Sequence, residues 1–385
     1  MRHSVENDTL TLYLEGKVTS TNAAELSDAM SGLVAETQPA RVVLDASALE
    51  HISSAGLRAI MRLAKTVREV VISGTSREVY NVFDVTGFTQ ILDVRRARRH
   101  VSVKGCPVIG RGAEGTVYRL DAETIVKVYS KGMDVEVVLG EKRRAQAAFL
   151  EGIPTAISYD VVDVDACAGV VYELLDARNL SELMETEPER RDDLIGQFAR
   201  LLKECHEVEL DPGKFDDNKQ LTLDALGHLE DGLCTPEETR KILAVVENVP
   251  DSQRFCHGDA HVGNVMVQGD EMLFIDMAHI GMGHPIFDLM SMFLLFKLHA
   301  EERLAKGALT LEERYHVWDV FLSAYLGTDD EAILAKAEEQ VAAFSCARLL
   351  LAALFLPGVV PPEEVRGLVD VAVGAYDTGL EPLCF

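Results

Sequence analysis

The run Cys256-His257-Gly258-Asp259-Ala260-His261-Val262-Gly263-Asn264-Val265-Met266-Val267, with Leu273-Phe274-Ile275-Asp276 close behind, concentrates side chains able to do chemistry. An aspartate, an asparagine five residues later and a second aspartate closing an apolar run suit one task, placing a hydroxyl and holding magnesium against a triphosphate. The implied reaction is phosphoryl transfer. Each residue also has a plainer use. Asp259 can cap a turn, Asn264 can satisfy a loop, and His261, His279 and His284 serve most simply as surface or packing residues. These histidines show no finger or helical ligand spacing, which argues against zinc.

Phosphoryl transfer needs a nucleotide cradle, and Val108-Ile109-Gly110-Arg111-Gly112-Ala113-Glu114-Gly115-Thr116-Val117-Tyr118 offers one. The G-x-G-x-x-G-x-V spacing of Gly110, Gly112, Gly115 and Val117 suits a hairpin whose glycines let backbone amides approach phosphates. A Rossmann arrangement would require a helix next, whereas Thr116 to Tyr118 is β-like and Thr124-Ile125-Val126-Lys127-Val128-Tyr129 is another strand. A lysine inside that apolar strand is costly to bury unpaired, so Lys127 is the natural phosphate contact. Its partner belongs on the following helix, which the pattern starts at Asp134. Glu136 and Glu141 compete. Glu141 is preferred because it shares a helical face with Val138, Ala145 and Ala148, whereas Glu136 aligns with Gly140 and Arg143. Gly152-Ile153-Pro154-Thr155 ends this helix. Gly169 to Leu175 reads as a strand whose end, Tyr172-Glu173-Leu174-Leu175, is placed to line an adenine pocket as a hinge, which puts Glu173 among the nucleotide-binding candidates.

These residues need a scaffold. Val265-Met266-Val267 and Leu273-Phe274-Ile275 read as two short strands joined at Gly269-Asp270, which sets Asn264 and Asp276 side by side. Helical patterning starts at Leu180, with Leu194, Phe198, Leu201 and Leu202 on one face. The apolar stretch Leu349 to Val360, broken by Pro357 and Gly358, is shorter than the ~20 residues of a membrane span and reads as a buried helix. Ahead of all this, strand and helix alternate. Leu10, Leu12 and Leu14 mark a half-buried strand, and Leu26, Met30 and Leu33, with Ala29 and Val34, mark a helix. Arg41 to Asp45 is a buried strand, Leu57, Ile60, Met61 and Ala64 a second helix, and Val70-Val71-Ile72 a further strand. Val79, Val82 and Phe83 form the inner face of a helix that Gly87 can close. The alternation implies a small α/β domain with a central sheet.

Between strand and second helix, Leu44-Asp45-Ala46-Ser47-Ala48-Leu49-Glu50-His51-Ile52-Ser53-Ser54-Ala55-Gly56-Leu57 resembles the STAS domain of anti-sigma factor antagonists. The likeness covers roughly Val5 to Arg99 and includes Thr86-Gly87-Phe88. It implies a phosphorylatable serine at Ser54, while Ser53 stands where many members carry aspartate. A serine at a helix N-terminus can carry phosphate because free amides and the helix dipole favour an anion. Either Ser53 or Ser54 can equally be a simple N-cap. Such domains act through protein partners, so an anti-sigma-type or other signalling protein is expected.

The downstream set resembles the aminoglycoside phosphotransferase and choline kinase branch of the protein-kinase-like fold, from about Val103 onward. The H-G-D-x-x-x-x-N form and Gly281 to Leu289, with Pro285 and Asp288, distinguish it from the H-R-D and D-F-G of protein kinases. His284 departs from the branch, which often has aspartate before that proline. The resemblance implies Asp259 as catalytic base or hydroxyl-orienting carboxylate, Asn264 and Asp276 as magnesium ligands, His257 as a brace for the loop, and ATP and Mg2+ as cofactors. The expected architecture is an α/β STAS-like domain over 1–100 and an α+β bilobal protein-kinase-like domain, its N-lobe spanning 101–175 and its mostly helical C-lobe 176–385.

The chain of 385 residues has a formal net charge of -26. Met1 to His100 balances 12 acidic against 12 basic residues, so the acidic excess lies downstream. Such a surface argues against nucleic acid and mildly favours a cationic substrate, although acidity also serves solubility. Arg95-Arg96-Ala97-Arg98-Arg99-His100 is a short basic cluster that reads as a solvated linker. Seven cysteines without a C-x-x-C pair fit reduced thiols, and Met1 to Asp8 lacks the apolar core of a signal peptide. Both point to the cytoplasm and away from a membrane. The phosphate acceptor, a hydroxyl-bearing small molecule or a protein serine, has no readable code, because one scaffold hosts many substrates.

Overall fold

This computed structural model describes residues 1–112, 114–229, 233–298, 309–355, 360–383 and 385. They form two compact units, Met1–Ser102 and Val103–Phe385.

In the first unit the alternating strand β2 (Thr9–Val18) buries Leu10, Leu12 and Leu14. β1 (His3–Glu6) pairs with it antiparallel, and β3 (Arg41–Ile52), β4 (Glu69–Thr75) and β5 (Asp93–Arg96) continue the sheet in parallel, in the order β1-β2-β3-β4-β5. Parallel neighbours require crossovers. These are α1 (Ala23–Thr37), α2 (Ser54–Ala64) and α3 (Arg77–Val85). α2 buries Leu57, Ala59, Ile60 and Leu63, and α3 buries Val79 and Phe83.

Two expectations need correction. β3 does not stop at Asp45 but follows β2 as far as Ile52, through irregular register. Arg95 and Arg96 lie in β5 and not in a linker. Arg95 pairs with Asp93, and its carbonyl accepts Thr75 Oγ1–H at 2.9 Å. The Arg96 guanidinium lies 4.2 Å from the centre of the Tyr80 ring. A neighbouring carboxylate and an aromatic face thus hold charges that composition alone assigns to solvent.

The second unit opens with β6 (Val108–Arg111), β7 (Gly115–Arg119), β8 (Thr124–Tyr129), β9 (Ser158–Val164) and β10 (Cys167–Glu173). They lie antiparallel in the order β9-β10-β8-β7-β6. Between β8 and β9 runs α4 (Val135–Leu150), capped by Asp134, whose Oδ1 accepts the Glu136 N–H at 2.9 Å. The rest is mainly helical: α5 (Leu180–Thr186), α6 (Arg191–Cys205), α7 (Asn218–Leu226), α8 (Pro236–Glu247), α9 (Ile286–Phe293), α10 (Leu311–Leu326), α11 (Glu331–Phe355) and α12 (Pro362–Thr378). The hairpin β11 (Val265–Gln268) and β12 (Glu271–Phe274) separates α8 from α9, with Gln268 opposite Glu271. Phe198 of α6 packs against Phe321 of α10 at 5.6 Å between ring centres and against Phe274 at 6.3 Å. Phe274 in turn meets the His257 ring at 5.0 Å, so one aromatic row joins the helical core to the chemistry-bearing stretch. α11 is helical through Leu349 to Phe355, while Pro357 and Gly358 lie outside the described residues. No helix among the described residues is long and apolar enough to cross a membrane, and the six described cysteines are free thiols.

At the start of α2, Ser53 is the cap and accepts the Gly56 N–H at 3.4 Å, whereas Ser54 is the first helical residue and is exposed. Gly56 is a glycine for lack of room: a Cβ there would lie 2.6 Å from Val18 Cγ1 and 2.8 Å from Ile52 Cγ1. Gly56→Ala should therefore destabilise the first unit by about 1–3 kcal/mol. Thermal unfolding of the full chain should show the transition of that unit lowered and the other unchanged.

Candidate functional site

Apart from His257 and Ser54, every residue singled out as a site candidate from the sequence lines one cleft of about 880 Å³ in the second unit. Ser54 stands in the first unit. On one wall β8 presents Lys127, opposite Val117 in the sheet. Its Nζ is 2.8 Å from Asp276 Oδ1, 3.1 Å from Glu141 Oε1 and 3.4 Å from Glu114 Oε2. Glu141 is buried and also accepts the Tyr172 hydroxyl at 3.4 Å. Burial works against the charge on Lys127, but the Glu141 and Asp276 carboxylates outweigh it and hold the ammonium above its ordinary pKa. Lys127 is thus a firmly charged cation surrounded by acids.

The glycines of the β6–β7 hairpin have different reasons. Around Gly112 there is open space, and its N–H donates to the Gly115 carbonyl at 2.9 Å. A Cβ on Gly115 would come within 2.2 Å of the Val128 carbonyl oxygen, so there the glycine is required by strand contact. Gly110 makes only ordinary contact with Val117. Glu173 lines the cleft with its carboxylate already committed, since Oε1 accepts the Ile157 N–H at 2.7 Å.

The opposite wall is the stretch 257–264. His257 is fully buried; its Nε2–H donates to the Ile275 carbonyl at 3.1 Å, Nδ1 has no partner among the described residues, and burial depresses its pKa. Gly258 has a φ of 79°, and a Cβ on it would lie 2.2 Å from the His279 carbonyl oxygen. Asn264 spends both of its amide contacts on Asp259, reaching the backbone carbonyl at 2.9 Å and Oδ2 at 3.1 Å. Burial pushes the Asp259 carboxyl up, and the adjoining His261, His257 and His279 bring it below the ordinary carboxylate range. Ile275 N–H donates to the Asn264 carbonyl at 2.9 Å, which fixes Asp276 beside this wall. Asp276 adopts φ 60°, a left-handed conformation that aspartate tolerates better than most residues. Asn264 retains its amide oxygen and Asp276 a carboxylate, an all-oxygen set suited to a hard cation such as magnesium.

Two further residues belong to this site: Asp288, which the sequence offered only as a mark of the family branch, and His206, which it did not single out. Asp288 on α9 is fully buried; Oδ2 accepts the His257 N–H at 2.8 Å and Oδ1 the Gly258 N–H at 2.6 Å. His206, at the end of α6, lies 2.9 Å from Asp288 Oδ2 through Nε2, and its Nδ1 is 2.8 Å from the Tyr325 hydroxyl. The signal was an acid inside the apolar run Ile286-Phe287-Asp288-Leu289-Met290, which must find donors. His206, Cys256 and Asp288 approach closely enough to bind a metal, but hydrogen bonds already occupy their polar atoms, including Cys256 Sγ–H to the His284 carbonyl at 3.4 Å.

Residues 105–321, more than half of the chain, match the model of the phosphotransferase enzyme family. The chain belongs to that family. Residues 2–101 of this phosphotransferase-family protein match the STAS domain, so an α/β STAS domain precedes an α+β kinase-like domain. Over 89 residues, 22% of this chain and 76% of the relative, it is 38% identical to a Bordetella bronchiseptica protein named as an anti-sigma factor antagonist, BtrV. Similar solved structures include a choline/ethanolamine kinase family protein from Mesorhizobium loti, 16% identical over 71% of this chain and 87% of that one, TM-score 0.45. Another is the ADP-bound aminoglycoside phosphotransferase APH(2'')-Ib, 16% identical over 71% of this chain and 96% of that one, TM-score 0.47.

Two outcomes follow for this phosphotransferase-family protein. Asp288→Asn places an amide N–H2 among three donors and should cost about 2–4 kcal/mol in urea unfolding of the second unit. Burial pushes His284 down to about 4, its bond to the Phe385 carbonyl opposing weakly. The unfolded chain takes up this proton near pH 6.5, the folded one only near 4. Stability is therefore complete above pH 6.5 and falls as pH drops toward 4, by on the order of 3 kcal/mol for this group. Unfolding midpoints at pH 7 and pH 4.5 should differ less in His284→Gln than in the unaltered chain.

Proposed function

We propose that the second unit is an ATP- and Mg2+-dependent phosphotransferase acting on an alcohol, and that the STAS domain regulates it through a signalling partner in the cytoplasm. The observation that carries this reading is the convergence on one cleft of Lys127, tied to both Glu141 and Asp276, with Asp259, held by Asn264. When bound, magnesium-ATP supplies the phosphoryl group, with the cation neutralising the charge that builds on it. Asn264 and Asp276 would hold that cation. Lys127 offers an ammonium to phosphate oxygens, and Glu141, locked against Tyr172, keeps it in place. Gly112, with open space around it, lets the backbone of the hairpin turn approach the phosphates without a Cβ between them. Asp259 orients the acceptor hydroxyl and takes up its proton on a carboxylate oxygen. His257 and Asp288 hold the loop that carries it.

Purified full-length protein should bind Mg-ATP and hydrolyse it slowly, with nucleotide affinity lowered in Lys127→Ala and turnover lowered about 100-fold or more in Asp259→Asn. Neither binding nor hydrolysis in the unaltered chain would sink the reading. One observation favours a second acceptor: Ser54 is exposed on the first turn of α2, while Ser53 takes the capping role. On this reading the kinase-like domain phosphorylates Ser54 in its own or another chain. Phosphopeptide mapping after incubation with γ-labelled ATP, with and without a panel of hydroxylated metabolites, separates the two acceptors. Label on Ser54 that persists in Asp259→Asn would count against self-modification.

A further inference from the structure

Asp259 is held from one side. Asn264 Nδ2 reaches its Oδ2 at 3.1 Å, and His261 Nε2 lies 3.6 Å from the same oxygen. Among the described residues Oδ1 has no partner. His261 is oriented by the backbone two residues on, where Gly263 N–H donates to its Nδ1 at 2.9 Å. A ring nitrogen that accepts carries no proton, so in the neutral imidazole the proton sits on Nε2, the atom directed at Asp259. Gly263 leaves space for this ring. A Cβ there would lie 2.8 Å from His261 Cε1 and 2.9 Å from Nδ1. The side chain is 29% exposed at the cleft, so core packing does not account for its orientation.

We propose that His261 is a positioning residue for Asp259: its Nε2–H and the Asn264 amide together fix the carboxylate through Oδ2, so that Oδ1 is the oxygen presented to the acceptor. This rests on the phosphotransferase reading of the cleft. Asn264 provides the close hydrogen bond. His261, at 3.6 Å, adds a directed field that keeps a partly exposed carboxylate from rotating. His261 meets the acceptor only through Asp259.

Substitutions divide the two contacts of the ring. His261→Asn retains an oxygen to accept the Gly263 N–H but is too short to reach Asp259. His261→Gln reaches Asp259 but forfeits the turn. Gly263→Ala displaces the ring without altering it. In the full-length chain with Mg-ATP, His261→Asn and Gly263→Ala should each lower kcat for ATP hydrolysis about tenfold or more with KM for ATP nearly unchanged, and His261→Gln should recover much of that loss. His261→Asn turning over like the unaltered chain, or kcat and KM worsening together in every variant, would overturn the proposal. A second measurement needs no turnover. Long-range ¹H–¹⁵N spectra of histidine-labelled chain should place the His261 proton on Nε2 and show that resonance moving in Asp259→Asn. A proton on Nδ1, or a resonance indifferent to Asp259, overturns the proposal. If the unaltered chain hydrolyses no ATP, the phosphotransferase reading fails while the spectra still decide whether His261 and Asp259 are coupled.

Discussion

A carboxylate with no access to water anchors the loop that carries Asp259 and Asn264. Asp288 lies inside the helical core, where an ion is unfavourable unless donors fill its lone pairs. Two of those donors are backbone amides of the loop, His257 and Gly258, and the third is His206. The dependence is mutual. The loop has too little regular structure to hold its own shape, and α9 can bury its acid only while the loop stays in place. His206 extends the arrangement to α10 through the Tyr325 hydroxyl, so helices distant in sequence share responsibility for one turn of backbone.

Lys127 plays the corresponding part on the other wall. It collects α4 through Glu141 and the end of the β11–β12 hairpin through Asp276. Hydrogen bonds to backbone carbonyls reinforce that convergence. Arg144 of α4 donates to the Ala278 carbonyl at 2.9 Å, and Thr155 donates through its hydroxyl to the Phe274 carbonyl at 3.0 Å. The sheet and the helical part of the second unit are therefore tied beside the cleft by hydrogen bonds of several chemical kinds, which limits how far removing any one ion pair can open it.

What the sequence revealed and what it hid divide along physical lines. Period-two leucines in β2 and the α4 face bearing Val138, Glu141, Ala145 and Ala148 were legible because burial follows local periodicity. The order of glycine hairpin, strand lysine, Asp259, Asn264 and Asp276 was legible because each sits in a recognisable local context. Asp288 with His206 was not, since their contact spans 82 positions and depends on how α6 and α9 pack. The arginines of β5 were misread for a similar reason: their partners, Asp93 and Tyr80, become visible only once β5 joins the sheet. The run of β3 beyond Asp45 was hidden because its later residues follow no clean alternation.

The backbone at Asp276 also bears on how such a site can change over generations. A non-glycine residue at φ 60° confines the position largely to aspartate, asparagine and glycine. Of the two replacements, asparagine keeps nearly the same volume and can preserve the turn while losing the charge opposite Lys127. A lineage can therefore lose the charge opposite Lys127 through a single conservative substitution that leaves the turn folded. The STAS domain, which folds around its own core, would be inherited intact by such a descendant.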